Sequence, residues 1–219
     1  MSDIVVFAPE NEWAGRQKLE DDPAVDVESI ADRTNYQFYR EAFSTRLAYV
    51  RHPHFPRFLI QLGEYNDFVL QDKFNETLRV LTELGASSIR CSSHRERHGR
   101  FGVNVAGIGQ RGGLGGEKRR ASRFDYNFDG SGSAPRDPRP LKWPGEPGLE
   151  AAIVGVLRNG ASSVRITVKQ DDSISMSADI PGRLSRLGVD LGLHVGQNKV
   201  DTLEFVAEFP ELGRGRLGR

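Results

Sequence analysis

The residues best suited to chemistry lie between positions 89 and 124. His94, Glu96 and His98 alternate, so a strand carrying them would set two imidazoles and a carboxylate on one face, a donor set that suits a divalent cation. Ser92-Ser-His-Arg-Glu-Arg-His-Gly reads instead as a hairpin tip whose interleaved arginines repel a cation, and no metal is expected there. Cys91 is the chain's single cysteine, which excludes an internal disulfide framework and a multi-cysteine zinc site. At the start of a strand it reads as a small core hydrophobe; a nucleophilic role would need His94, three residues on, as its base. Gly107-Ile-Gly-Gln-Arg-Gly112 spells a dinucleotide-binding pattern after a predicted strand. The helix that must follow, aiming its amides at a pyrophosphate, has no apolar face to form on, so the stretch reads as a loop and no cofactor is expected.

Charge gives this region a different use. From Ile89 to Phe124 nine basic residues face only Glu96 and Glu117, a local net of +7, and eight glycines lie between Gly99 and Gly116. Arg95, Arg97, Arg100, Arg111, Lys118, Arg119, Arg120 and Arg123 are the candidate ligand- or partner-binding residues, because guanidinium and ammonium groups on a Gly-rich loop suit phosphate or acidic protein surfaces. Residues 1 to 32 carry nine acids against Arg16 and Lys18, a net of −7. The head and the loop are complementary, within one chain or between copies. The whole chain of 219 residues balances 30 Lys+Arg with 30 Asp+Glu, which excludes only a uniformly basic nucleic-acid binder.

The elements that position these residues are written twice. Gly85-Ala-Ser-Ser-Ile-Arg90 recurs as Gly160-Ala-Ser-Ser-Val-Arg165, and each copy follows a segment with helical apolar spacing: Phe74, Leu78 and Leu81 before the first, Leu149, Ile153 and Val156 before the second. Each glycine is expected to end its helix in a left-handed conformation and feed a strand. Strands are predicted over Ile89–Ser92, Phe101–Ala106 and Phe124–Phe128 in the first copy, and over Val164–Lys169, Ile174–Ile180 and Leu203–Phe209 in the second. Gly130 to Gly148 holds five of the eleven prolines and reads as a stiff linker in which Leu141 and Trp143 dock on a neighbouring surface.

Ahead of the repeat, Ile4-Val-Val-Phe7 and Phe58-Leu-Ile-Gln-Leu62 read as strands, whereas residues 8 to 32 give little sign of regular structure. Thr34-Asn-Tyr-Gln37 fits a capping box, and Tyr36, Tyr39, Phe43, Leu47 and Val50 predict a helix of about four turns, stopped by His52-Pro-His-Phe-Pro56.

The expected fold is α+β: two copies of a helix-strand-strand-strand unit forming mainly antiparallel sheet packed against helices, with an N-terminal strand and helix added. The expected domains are an acidic N-terminal region with helix and strand over 1–72, the first unit over 73–130, the linker over 131–148, the second unit over 149–210 and a basic tail over 211–219. No apolar run approaches the ~18–20 residues of a membrane helix and the N-terminus lacks the pattern of a signal peptide, so a cytoplasmic protein is expected. With no convincing catalytic set, the function read from the sequence is a non-catalytic protein-interaction or scaffold module that meets a partner protein, or another copy, through its charged segments. Nucleic-acid or phosphate-ligand binding by the same loop is the alternative, and an enzyme built on the His/Glu or Cys/His residues is the third reading.

Overall fold

The computed structural model describes residues 4–9, 20–21, 25–41, 43–94, 126–169, 180–186, 188–191 and 202–210. It is α+β and divides into two compact units. The first comprises Met1–Arg79, Arg139–Pro147 and Lys169–Lys199; the second comprises Val80–Pro138, Gly148–Val168 and Val200–Arg219. Among the described residues no helix is long and apolar enough to cross a membrane.

The first unit is built on a five-stranded sheet. Its strands are β1 (Ile4–Ala8), β2 (Val25–Ser29), β3 (Gln37–Phe38), β4 (Ala48–His52) and β5 (Phe55–Gln61), in the order β2-β1-β4-β5-β3. β1 is apolar at every position and buried at every position, as a central strand covered on both faces must be. Alternation sorts its residues: Ile4 and Val6 join Ala48, Val50 and Ile60 on one face, while Val5 and Phe7 join Tyr49 and Leu59 on the other. The first face packs against Tyr65 and Val69 of the long helix α1 (Tyr65–Glu83) and against Trp143, Leu184 and Val189. Leu184 belongs to a short helix, α3 (Ile180–Arg186), that lies in sequence within residues 149–210.

Two expectations about this unit are corrected. Tyr36 to Val50 is not a helix; it runs through β3, a 3-10 turn at Tyr39–Glu41 and β4. The aromatic spacing that suggests a helix serves two sheet faces. Tyr36, Phe38, Phe43 and Tyr49 gather around Phe7, whereas Tyr39 packs with the opposite cluster, and Arg40 and Arg46 at φ 57° and 60° interrupt any helical path. Residues 8 to 32 do contain a strand, β2, parallel to β1 with Val25 opposite Ile4.

The second unit holds a four-stranded sheet: β6 (Ser88–His94), β7 (Tyr126–Asp129), β8 (Ser163–Lys169) and β9 (Thr202–Glu208), ordered β7-β6-β9-β8. Its helix α2 (Pro147–Asn159) buries Leu149, Ala152, Ile153 and Val156. β6 runs antiparallel to both β7 and β9, with Ile89 opposite Ala207 and Cys91 opposite Phe205. The strands that follow the two glycine turns, β6 and β8, therefore share one sheet with β9 between them.

Both turns take the expected form. Gly85 and Gly160 have φ 82° and 64°. Gly85 N–H donates to the Thr82 carbonyl and Ala86 N–H to that of Leu81, closing a Schellman cap, while at the second turn Gly160 N–H donates to the Val156 carbonyl and Ala161 N–H to that of Gly155. The serines beyond them both meet the end of β9: Ser87 N–H donates to the Glu208 carbonyl and Phe209 N–H donates to the Ser162 carbonyl, each at 2.8 Å. The predicted strands at 101–106 and 174–180 fall on residues outside the described set, apart from Ile180, which opens α3.

Candidate functional site

The site belongs to the first unit and starts from the hairpin of β4 and β5. Along β4 the alternation that places Ala48 and Val50 on the α1 face carries His52 there too, leaving Arg51 on the other side. Arg51 reaches Asp26 Oδ2 at 2.9 Å and Glu28 Oε1 at 3.5 Å, and its guanidinium lies over the ring of Tyr36. The turn after His52 brings the His54 N–H to His52 Nδ1 at 3.1 Å. Nδ1 is thus the acceptor, so the neutral ring carries its proton on Nε2.

Opposite His52 stands one face of α1. Asp72, Lys73, Glu76 and Arg79 recur at helical spacing, and each holds residues 139–147. Trp143 Nε1 donates to Asp72 Oδ2 at 2.8 Å, and Lys142 Nζ donates to Asp72 Oδ1 at 2.5 Å. The Lys142 backbone N–H donates to Glu76 Oε1 at 2.7 Å, and Arg79 clamps both Glu76 oxygens at 2.8 Å. Lys73 pairs with Glu146 and lies over the Trp143 ring. The expected docking of Trp143 is realised, with that side chain 3% exposed.

Electrostatics follow from these partners. Burial works against ionisation of Asp72, but the N–H groups facing it from His52, Lys142 and Trp143 outweigh burial and hold its carboxyl at about 2. Glu76 is lowered as well, burial again being overcome by Arg79 and by the Lys142 N–H. His52 Nε2 sits 3.7 Å from Asp72 Oδ2, too far for a hydrogen bond, and is buried without an acceptor.

His52 and Asp72 form part of an open cleft of about 970 Å³. Its walls are mainly aromatic: Tyr36, Tyr39, Phe55, Phe58 and Phe68 with His52 and His54, and Thr34, Asn35 and Gln37 add polar groups. The rings support one another in tilted or edge-on contacts, Tyr39 with Phe68 at 4.7 Å, His52 with Phe55 at 4.9 Å and Phe58 with Phe68 at 5.5 Å between centroids. Phe55 is 47% exposed, and Lys142 Nζ lies 6.0 Å from its centroid. Arg57, also exposed, completes the charged part of the lining.

Most of the residues expected from the sequence fall outside the described set. Arg95, Arg97, Arg100, Arg111, Lys118, Arg119, Arg120 and Arg123 lie outside the described residues, as do Glu96, His98 and the glycine pattern at 107–112. His94 ends β6, and its side chain is outside the described set. Cys91 is 3% exposed and Ile166, its counterpart in the second copy, 2%, so both serve the second unit's core. Among the described residues no three His, Cys, Asp or Glu side chains group to hold a metal.

Sequence reasoning missed the cleft because its parts are scattered. His52 read as a helix stop, and nothing marked Asp72 or Lys142. The available signals were the aromatic-rich run from His52 to Phe58 and an isolated tryptophan within a Pro-rich linker. No protein-family model, curated protein or solved structure matches the chain, so its function is read from the site itself.

Proposed function

We propose that this chain is a non-catalytic binding module whose ligand seats in the aromatic cleft of the first unit. The observation that carries this reading is the cleft itself: an aromatic-walled space of about 970 Å³ with an exposed phenylalanine in its lining. Concave sites with apolar walls and few polar groups are the usual seats of ligands. The polar groups at its floor support binding over turnover. A general base must present a basic lone pair to the substrate, yet His52 Nδ1 already accepts from the His54 N–H, and Asp72, held at about 2, is too weak a base.

The test is NMR titration of the full chain with small aromatic probes. Shifts are expected to centre on His54, Phe55, Phe58 and Phe68. Phe55→Ala removes an exposed ring and should weaken binding by about tenfold while the melting temperature moves little. Shifts centred elsewhere, or an unchanged affinity in Phe55→Ala, would overturn the reading.

A further inference from the structure

We infer that the cleft takes a planar aromatic small molecule bearing an anionic group, with the ring between the aromatic walls and the anion on Lys142 and Arg57. This rests on the reading of the cleft as a binding site and adds the chemistry of the ligand. Size favours a small molecule, since about 970 Å³ is near the upper end of ligand sites, roughly 300–1,000 Å³.

Aromatic walls alone would also suit a quaternary ammonium held by ring faces. Charge decides between the two. The lining holds two permanent cations, Arg57 and Lys142, against one carboxylate, Asp72. That carboxylate is already committed: Lys142 and Trp143 donate to its two oxygens. The nearby acids are committed too, Glu28 to the Tyr36 hydroxyl and Glu64 to Arg40. Lys142 Nζ, moreover, already lies over the Phe55 ring, where a ligand cation would need to sit. An incoming cation meets repulsion; an incoming anion finds the exposed Arg57 guanidinium beside a ring surface, with the Lys142 ammonium, paired to Asp72, as the second and lesser attraction.

Four probes separate the possibilities by calorimetry and NMR on the full chain: 2-naphthoate, its neutral amide, the cationic 2-naphthylmethylammonium and the non-aromatic cyclohexanecarboxylate. Naphthoate should bind tightest, by about tenfold over the amide, and weaken as salt is raised. Arg57→Met should remove most of that preference without loss of stability, since Arg57 is exposed, and Lys142→Met should do the same if it folds. Binding of the cation as tightly as naphthoate, or an unchanged preference in Arg57→Met, would overturn the assignment. Equal binding of all three naphthyl probes in the cleft would defeat the anionic ligand but leave the binding module standing. Absence of cleft shifts with every probe would remove both.

Discussion

Trp143 donates its indole N–H to Asp72 Oδ2 at 2.8 Å, joining residues 71 positions apart. The bond fixes a segment rich in proline to the helix face beside the cleft, and the same carboxylate faces His52. Trp143→Phe keeps an aromatic ring but withdraws a donor from a partly buried charged acceptor. The expected loss is about 2–3 kcal/mol by urea unfolding, the scale of hydrogen bonds to charged groups. In a double-mutant cycle Asp72→Asn and Trp143→Phe should couple; additive losses would show that the bond contributes nothing of its own.

Stability should fall in acid through Asp72. Its folded value, about 2, lies below the ordinary 3.8. The unfolded chain therefore binds the proton first, so the contribution is fully present above pH ~4 and disappears as pH falls through 2. It amounts to about 2 kcal/mol at most, reduced by solvent screening around the half-exposed Lys142. Wild type should lose its advantage over Asp72→Asn between pH 5 and 2 in urea titrations at about those limits. A gap that stays constant over that window would assign the loss to other carboxylates.

Arg51 offers a test on the opposite face of the same sheet. It is 10% exposed in its side chain and meets Asp26, Glu28 and the Tyr36 hydroxyl, spanning the strand that separates β2 from β4. Burial lowers the arginine's affinity for its proton, and the partners Tyr36 and Asp26 reverse that effect, so it stays charged. Arg51→Met should cost about 1–3 kcal/mol, because it leaves two carboxylates of β2 side by side without their cation. Arg51→Lys should recover part of this at most, since an ammonium lacks the fork that reaches several oxygens. Equal stability of the methionine variant by thermal melting would make the network incidental.

Legibility differs from element to element for physical reasons. β1 is readable because an unbroken apolar run suits a strand buried on both faces, the end of β5 because Leu59 and Ile60 serve opposite faces, and the two helix caps because only glycine takes a positive φ at low cost. β2 was hidden by composition, although Val25-Asp-Val-Glu carries the alternation of a strand with one face inward. The Tyr36 to Val50 segment misled because rings three and four residues apart fit either a helix stripe or two faces of a folded sheet. Pairing of β4 with β1 decided the matter, and pairing is not local. The cleft was least legible for the same reason: His52, Asp72 and Lys142 meet only after the hairpin, the helix and the Pro-rich segment have come together.

The repeated glycines make the most discriminating pair of substitutions. Gly85 and Gly160 occupy matching places and similar backbone conformations, so propensity alone predicts equal costs for alanine, about 1–2 kcal/mol for a left-handed residue. Their surroundings differ. A Cβ at Gly85 would fall 2.1 Å from the Ser133 carbonyl oxygen, whereas one at Gly160 would meet nothing within 4 Å. A clash with backbone cannot be relieved by turning a side chain. Gly160→Ala should therefore lose about 1 kcal/mol, and Gly85→Ala more than about 3 kcal/mol, by chemical denaturation. Equal losses would mean that the segment around Ser133 moves aside freely, and that the first cap is held by its own bonds alone.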